Sequence, residues 1–207
     1  MLPGNSQILT CPFCGAKKEV MSLMSGNTIG AEYWSDNKRI APMLPEVSYV
    51  QQCPQCKKYY IMDRQEEVFS ESSRSGDQGL LSFAQTKKAF AQLSQDGFQG
   101  EDEEAQVRLM LHHAYNDYYH RKKRRVPLKN PVNEKDDKLF RDNALWLIDN
   151  YISDNLLKAE YYREIGEFEK AADMLKSVNA EEQFQKDLQA SIQQRLEQKD
   201  CVVFKIQ

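Results

Sequence analysis

An α+β protein is predicted, with a small metal-stapled β module at the N-terminus and an all-helical domain after it. Three observations carry that prediction. Two Cys-x-x-Cys pairs, Cys11-Pro12-Phe13-Cys14 and Cys53-Pro54-Gln55-Cys56, stand in the first third of the chain. The stretch between them breaks into short runs separated by turn residues, with no helical period. From residue 80 onward, apolar residues recur at three- and four-residue spacing in segment after segment.

The cysteine pairs come first because their chemistry is the most specific. A Cys-x-x-Cys knuckle points backbone amides at its sulfurs, and one tetrahedral ion joins two such knuckles across any intervening loop. Cys11, Cys14, Cys53 and Cys56 are therefore the predicted ligands of one zinc ion. Gly15 suits the turn that leaves the first knuckle. Four thiolates saturate zinc and leave no position for a catalytic water, so the metal reads as structural. The competing reading is a pair of redox motifs. A redox Cys-x-x-Cys wants a strand before it and a helix after it, and neither knuckle leads into a helical period.

The 207 residues carry five cysteines and a formal net charge of −3. Four cysteines in knuckles with Cys201 left over fit a reducing compartment better than a disulfide framework. No apolar run is long enough to span a bilayer, and the start lacks the basic flank and apolar run of a signal peptide. A cytoplasmic location is expected. The first 64 residues hold seven Lys/Arg against five Asp/Glu, and the rest of the chain is acidic. That balance does not suit a dedicated nucleic-acid binder.

In chain order, Glu19–Leu23 and Thr28–Trp34 read as strands, with turn material at Ser25-Gly26-Asn27 and a hairpin turn at residues 35–38. Pro42 and Pro45 interrupt the return strand. Val47–Gln52 runs into the second knuckle and Tyr59–Met62 leaves it as a strand. Knuckle, hairpin, knuckle, strand over residues 1–64 resembles the zinc-ribbon superfamily. Tyr33, Trp34, Met43 and Leu44 are expected to pack as an apolar cap over the metal. Residues 65–79, rich in serine and glycine, read as a linker.

Residues 80–199 read as helices. Phe83, Thr86, Phe90 and Leu93 share a face of the first, which Gly97 and Gly100 end. The acidic run at residues 101–104 opens a second, with Val107, Met110, Leu111, Ala114, Tyr115 and Tyr118 in register. The basic run Arg121–Arg125 suits its C-terminus, and Pro127 and Pro131 force a loop. A third, about residues 137–152, is apolar most of the way round. A fourth runs to Gly166, a fifth carries Phe168, Ala171 and Leu175, and Asn179 looks like the N-cap of a sixth. Residues 200–207 have strand composition and are candidates to pair with the N-terminal sheet.

Ala159–Ala171, with Tyr162, Gly166 and Phe168, resembles the centre of a tetratricopeptide repeat. The early aromatic of that repeat falls at Asn155 and its closing proline at Gln183. The chain as a whole is similar to a group of bacterial proteins that join a zinc ribbon to tetratricopeptide-like helices. In that architecture the first helix of a pair lines a groove, which makes Tyr161 and Arg163 the expected partner contacts.

The functional expectation is a non-catalytic zinc-binding scaffold or protein–protein interaction protein. One alternative is a nucleic-acid adaptor using the ribbon and Arg121–Arg125. Another is a metal- or thiol-dependent enzyme. His113, Asp117 and His120 share one helix face, which read as a solvated patch because it lies off the apolar stripe. No glycine-rich phosphate loop or serine nucleophile motif is present, and no catalytic residue is assigned.

Overall fold

A computed structural model describes residues 1–71, 76–120 and 132–206 of the chain. The basic run at 121–125 and the prolines at 127 and 131 lie outside the described residues. Among the described residues there are eight short strands in antiparallel pairs, holding the cysteine cluster, and six α-helices. Packing divides the chain into two units, Met1–Ala31 with Ile40–Met110 and Glu32–Arg39 with Leu111–Gln207.

In the first unit, β1 (Leu2–Pro3) pairs with β4 (Leu23–Ser25), and β2 (Gln7–Thr10) pairs with β3 (Lys17–Val20) around the first knuckle. β7 (Val50–Gln52) and β8 (Tyr59–Ile61) do the same around the second. Side chains alternate across a strand, and β8 uses both of its faces. Tyr60 points to a core made by Leu9, Cys11, Ala16, Val20 and Cys53. Tyr59 and Ile61, with Val50, point the other way to Ala89, Leu93 and Val107. Those last three residues lie on α1 (Phe83–Asp96) and α2 (Glu101–His120).

This second core moves the boundary expected at residue 80. α1 and the first half of α2 belong with the N-terminal strands, because the β7–β8 hairpin has an apolar face that only a helix covers. A side-chain amide continues the pairing. Gln92 Oε1 accepts from the Tyr59 amide at 3.0 Å, and Gln92 Nε2 donates to the Tyr59 carbonyl at 2.9 Å. Arg64 and Glu103 add an ion pair in the same unit. Ser82 and Gln85 form a capping box at the start of α1, and Gly97 caps its far end as expected. Within the segment expected to be a linker, Phe69 bridges to Gln7 and Asp77 to Val20.

The second unit holds the rest of α2 with α3 (Glu134–Asn150), α4 (Asn155–Glu164), α5 (Phe168–Lys176) and α6 (Gln183–Glu197). α4 and α5 form a close antiparallel pair through Ala159 and Ala171, both fully buried. Leu156, Leu175, Ile192, Leu196 and Phe204 complete that core. α6 starts later than Asn179 suggested. Its N-cap is Glu182, whose carboxylate and Gln185 make the capping box.

Residues 32–39 also belong to this unit. β5 (Glu32–Tyr33) pairs with β6 (Arg39–Ile40) as a tight hairpin, closed by the Trp34 amide donating to the Lys38 carbonyl at 2.9 Å. The C-terminal segment pairs with this hairpin. Trp34 bridges to Lys205, the Ser35 amide donates to the Phe204 carbonyl at 2.9 Å, and the Ile206 amide donates to that of Tyr33 at 2.8 Å. The expected apolar cap over the metal is not formed by these residues. Trp34 packs edge-on against His120 with ring centroids 4.8 Å apart, while Tyr33 and Met43 are exposed.

Candidate metal centre

The two knuckles have the same backbone construction. In the first, the Cys11 amide donates to the Ala16 carbonyl and the Gly15 amide donates back to the Cys11 carbonyl, both at 2.9 Å. In the second, Cys53 and Lys58 repeat the first bond at 2.9 Å, and Lys57 and Cys53 the second at 3.2 Å. The residue after each second cysteine is left-handed, Gly15 at φ 72° and Lys57 at φ 62°. Glycine adopts that conformation at little cost, whereas lysine does so against its preference. The turn is therefore imposed by the knuckle, and glycine is a convenience at one of its two copies.

The knuckles bring all four sulfurs within 4.8 Å of one another. The shortest approaches run across knuckles, Cys14 to Cys53 at 3.5 Å and Cys11 to Cys56 at 3.7 Å. Cys11 and Cys53 are buried, and Cys14 and Cys56 lie at the exposed tip. The amides of Gln55 and Cys56 both point at Cys53 Sγ from 3.4 Å. Burial pushes the Cys53 thiol up, but those amides outweigh it and bring it down to about 6. Cys56 goes the other way. The Lys58 amide favours its thiolate, yet burial and the neighbouring cysteines push it up to about 12.

That split is what four crowded thiols do without a cation: one ionises and then disfavours the next. A divalent ion removes the conflict by pairing with every thiolate. The donor set, all sulfur at matched knuckles, fits zinc. Among the described residues this is the one group placed to hold a metal ion.

Tyr161 and Arg163 do not reach a surface, which corrects the expected docking site. Both are completely buried. Arg163 Nε donates to Glu160 Oε2 at 2.8 Å, and its two Nη atoms donate to Glu160 Oε1 and to the carbonyls of Asp200 and Val202. Burial works against the guanidinium charge, but the fully buried Glu160 carboxylate outweighs it and holds Arg163 charged. Tyr161 stacks on His112 with centroids 4.0 Å apart, and His112 stacks on Phe140 at 4.7 Å. Both side chains serve the interior of the helical unit.

The face of His113, Asp117 and His120 is not a solvated patch either, since His120 is buried and the other two are half-buried. His112 and His120 are buried, and both meet acids that the sequence does not single out. Asp36 and Glu164 are buried with them, bridged by Asn116. Asp36 reads in sequence as an ordinary turn residue, and nothing in local spacing marks it. The one available signal is that a single helix carries all three histidines of the chain.

Comparison with protein-family models, with curated proteins and with solved structures finds no match for this chain. No helix among the described residues is long and apolar enough to cross a membrane.

Proposed function

We propose that this chain is a non-catalytic zinc-binding protein that works by binding another macromolecule, most simply a protein. The observation that carries the zinc assignment is the convergence of Cys11, Cys14, Cys53 and Cys56 on one point from two equivalent knuckles. Four thiolates complete a tetrahedral shell, so the ion would hold the strands together and leave no position for a substrate. The α4–α5 pair supports the tetratricopeptide-like reading of the helices, without the docking residues first expected. The knuckle tip offers a different contact surface. Phe13 is exposed there, with the Lys58 ammonium 4.6 Å from its ring centre.

Protein purified without chelator is expected to contain one zinc per chain, with sulfur at about 2.3 Å by X-ray absorption. Absence of zinc and iron, together with four freely reactive thiols, would end the assignment. Nucleic acid is the weaker partner. Of the four lysines that flank the knuckles, Lys17 is exposed, Lys18 is held by Gln51 and Asp77, Lys57 by the Pro54 carbonyl, and Lys58 by Phe13. No submicromolar affinity for RNA or duplex DNA is expected at physiological salt. Tight binding that weakens steeply with added salt would reverse this choice of partner.

A further inference from the structure

The hairpin at residues 32–39 is held in the helical unit by a cluster of ionisable side chains. Asp36 sits at the turn, fully buried. Its Oδ2 lies 3.1 Å from His120 Nε2 and accepts from Asn116 Nδ2 at 3.0 Å. Its backbone carbonyl accepts from His113 Nε2 at 3.1 Å and from the Tyr161 hydroxyl at 3.5 Å. Lys38 of the same hairpin pairs with Asp117, which also reaches His120 Nδ1 at 3.1 Å. From α4, Glu164 Oε2 lies 3.0 Å from His112 Nε2 and accepts from Asn116 at 2.8 Å. Among the described residues, His112 Nδ1, His120 Nε2 and Glu164 Oε1 have no hydrogen-bond partner, so His120 meets Asp36 at ion-pair distance without an aligned hydrogen bond. α3 presents the ring of Phe140 to His112, and the segment after α6 presents the Asp200 carbonyl to Arg163.

We propose that this cluster is a proton-operated latch, which keeps the hairpin closed in the helical unit and releases it on acidification.

The argument is a count of protons. Three pairs are already neutral overall, Glu160 with Arg163, Asp36 with His120 and Lys38 with Asp117. Burial opposes charge on His120, but Asp117 and Asp36 on either side outweigh it and raise its pKa. Burial would likewise raise Asp36, and His120 outweighs it, so Asp36 stays ionised. That leaves His112 and Glu164 to share one proton without creating net charge. Burial, with Glu160 and Asp36 nearby, puts it on Glu164 by raising that carboxyl well above its ordinary range. Burial also brings His112 and His113 down to about 4. The closed latch therefore holds two protons, on His120 and Glu164.

Once the hairpin opens and water enters, the imidazoles return towards 6.5 and Glu164 towards 4.5. Between those values the open form holds three protons, one on each histidine, so opening takes up one proton. The depressed histidines support closure above pH 6.5, and that support drains away as pH falls towards 4. His120 and Glu164 act oppositely, supporting closure at lower pH and losing it as pH rises. The latch is thus tightest near pH 6, by the balance of the two counts, and weakens in both directions. The hairpin is the part that moves. It is one tight turn, held chiefly by these polar bonds, whereas α4, α5 and α6 share an apolar core.

Native-state hydrogen exchange at the Ser35 and Phe204 amides, corrected for intrinsic rate, measures this opening even when it is rare. As pH falls from 5.5 to 4.5, below the point of greatest stability, the opening constant is expected to rise about tenfold. In Glu164→Gln the closed form holds one proton and the open form three, so the slope steepens to about a hundredfold per unit. In His113→Gln the two forms hold equal numbers, so the slope vanishes. Amides of α6 are expected to keep their protection throughout. A flat wild-type response, or one slope shared by wild type and both variants, would overturn the latch. So would α6 amides opening in step with Ser35, because the event would then be global unfolding. Should His113→Gln fail to fold, the comparison of wild type with Glu164→Gln decides alone.

Discussion

Replacing Cys53 with serine is expected to unfold the whole first unit, including α1, while α4, α5 and α6 keep their helical signal. Cys53 is fully buried, and its sulfur takes two amide donors and lies against Cys14. On the zinc reading the substitution removes one of four ligands. Structural zinc contributes about 10–16 kcal/mol in isolated finger-sized folds, more than a small domain has to spare. The strands here are two to four residues long and cannot hold themselves. α1 is included because Ala89 and Leu93 pack on Val50, Tyr59 and Ile61 of the second knuckle's hairpin. Exchange protection measured segment by segment checks this. Protection persisting in β7, β8 and α1 of the variant, or of chelator-treated protein, would show that the strands stand without metal.

Arg163→Ala is expected to destabilise the second unit by about 3–5 kcal/mol, the cost of leaving a buried ion partner uncompensated. Glu160 loses the cation it pairs with and the carbonyls of Asp200 and Val202 lose a donor. Phe204, whose ring centre lies 5.5 Å from the guanidinium, loses a neighbour as well. The double change Arg163→Met with Glu160→Leu is expected to recover most of that loss, because it removes both charges. Denaturant unfolding of the wild type and the two variants distinguishes these outcomes. A loss under about 1 kcal/mol for Arg163→Ala would mean that the pair behaves like an exposed one.

The metal site was legible because its information is local. Each knuckle is spelled by four or five consecutive residues, and two matched copies leave little else for the cysteines to do. The helices were legible for a related reason, since period and caps are written within a few turns. Boundaries were harder. Asn179 has the right chemistry for a cap, but Glu182 takes that place with Gln185. What spacing could not show is where polar residues go. Tyr161 and Arg163 sit beside packing positions on α4 and look like surface residues until Glu160 and the C-terminal carbonyls are brought to them. His113 and His120 lie off an apolar stripe, and it is Asp36, far away in sequence, that meets both of them. Burial of paired charge is a tertiary property, and periodicity records only apolar faces.

The excursion of residues 32–39 also bears on how this protein can be dissected. The chain changes unit at three places, after residues 31, 39 and 110, so neither unit is one continuous segment. A fragment of residues 1–64 would discard α1 and bare the apolar face of β8. A fragment beginning at residue 80 would carry α2 without Asp36, stranding His120 beside Asp117 alone and removing the strand that Lys205 pairs with. A single cut at either place therefore leaves each unit without one of its parts.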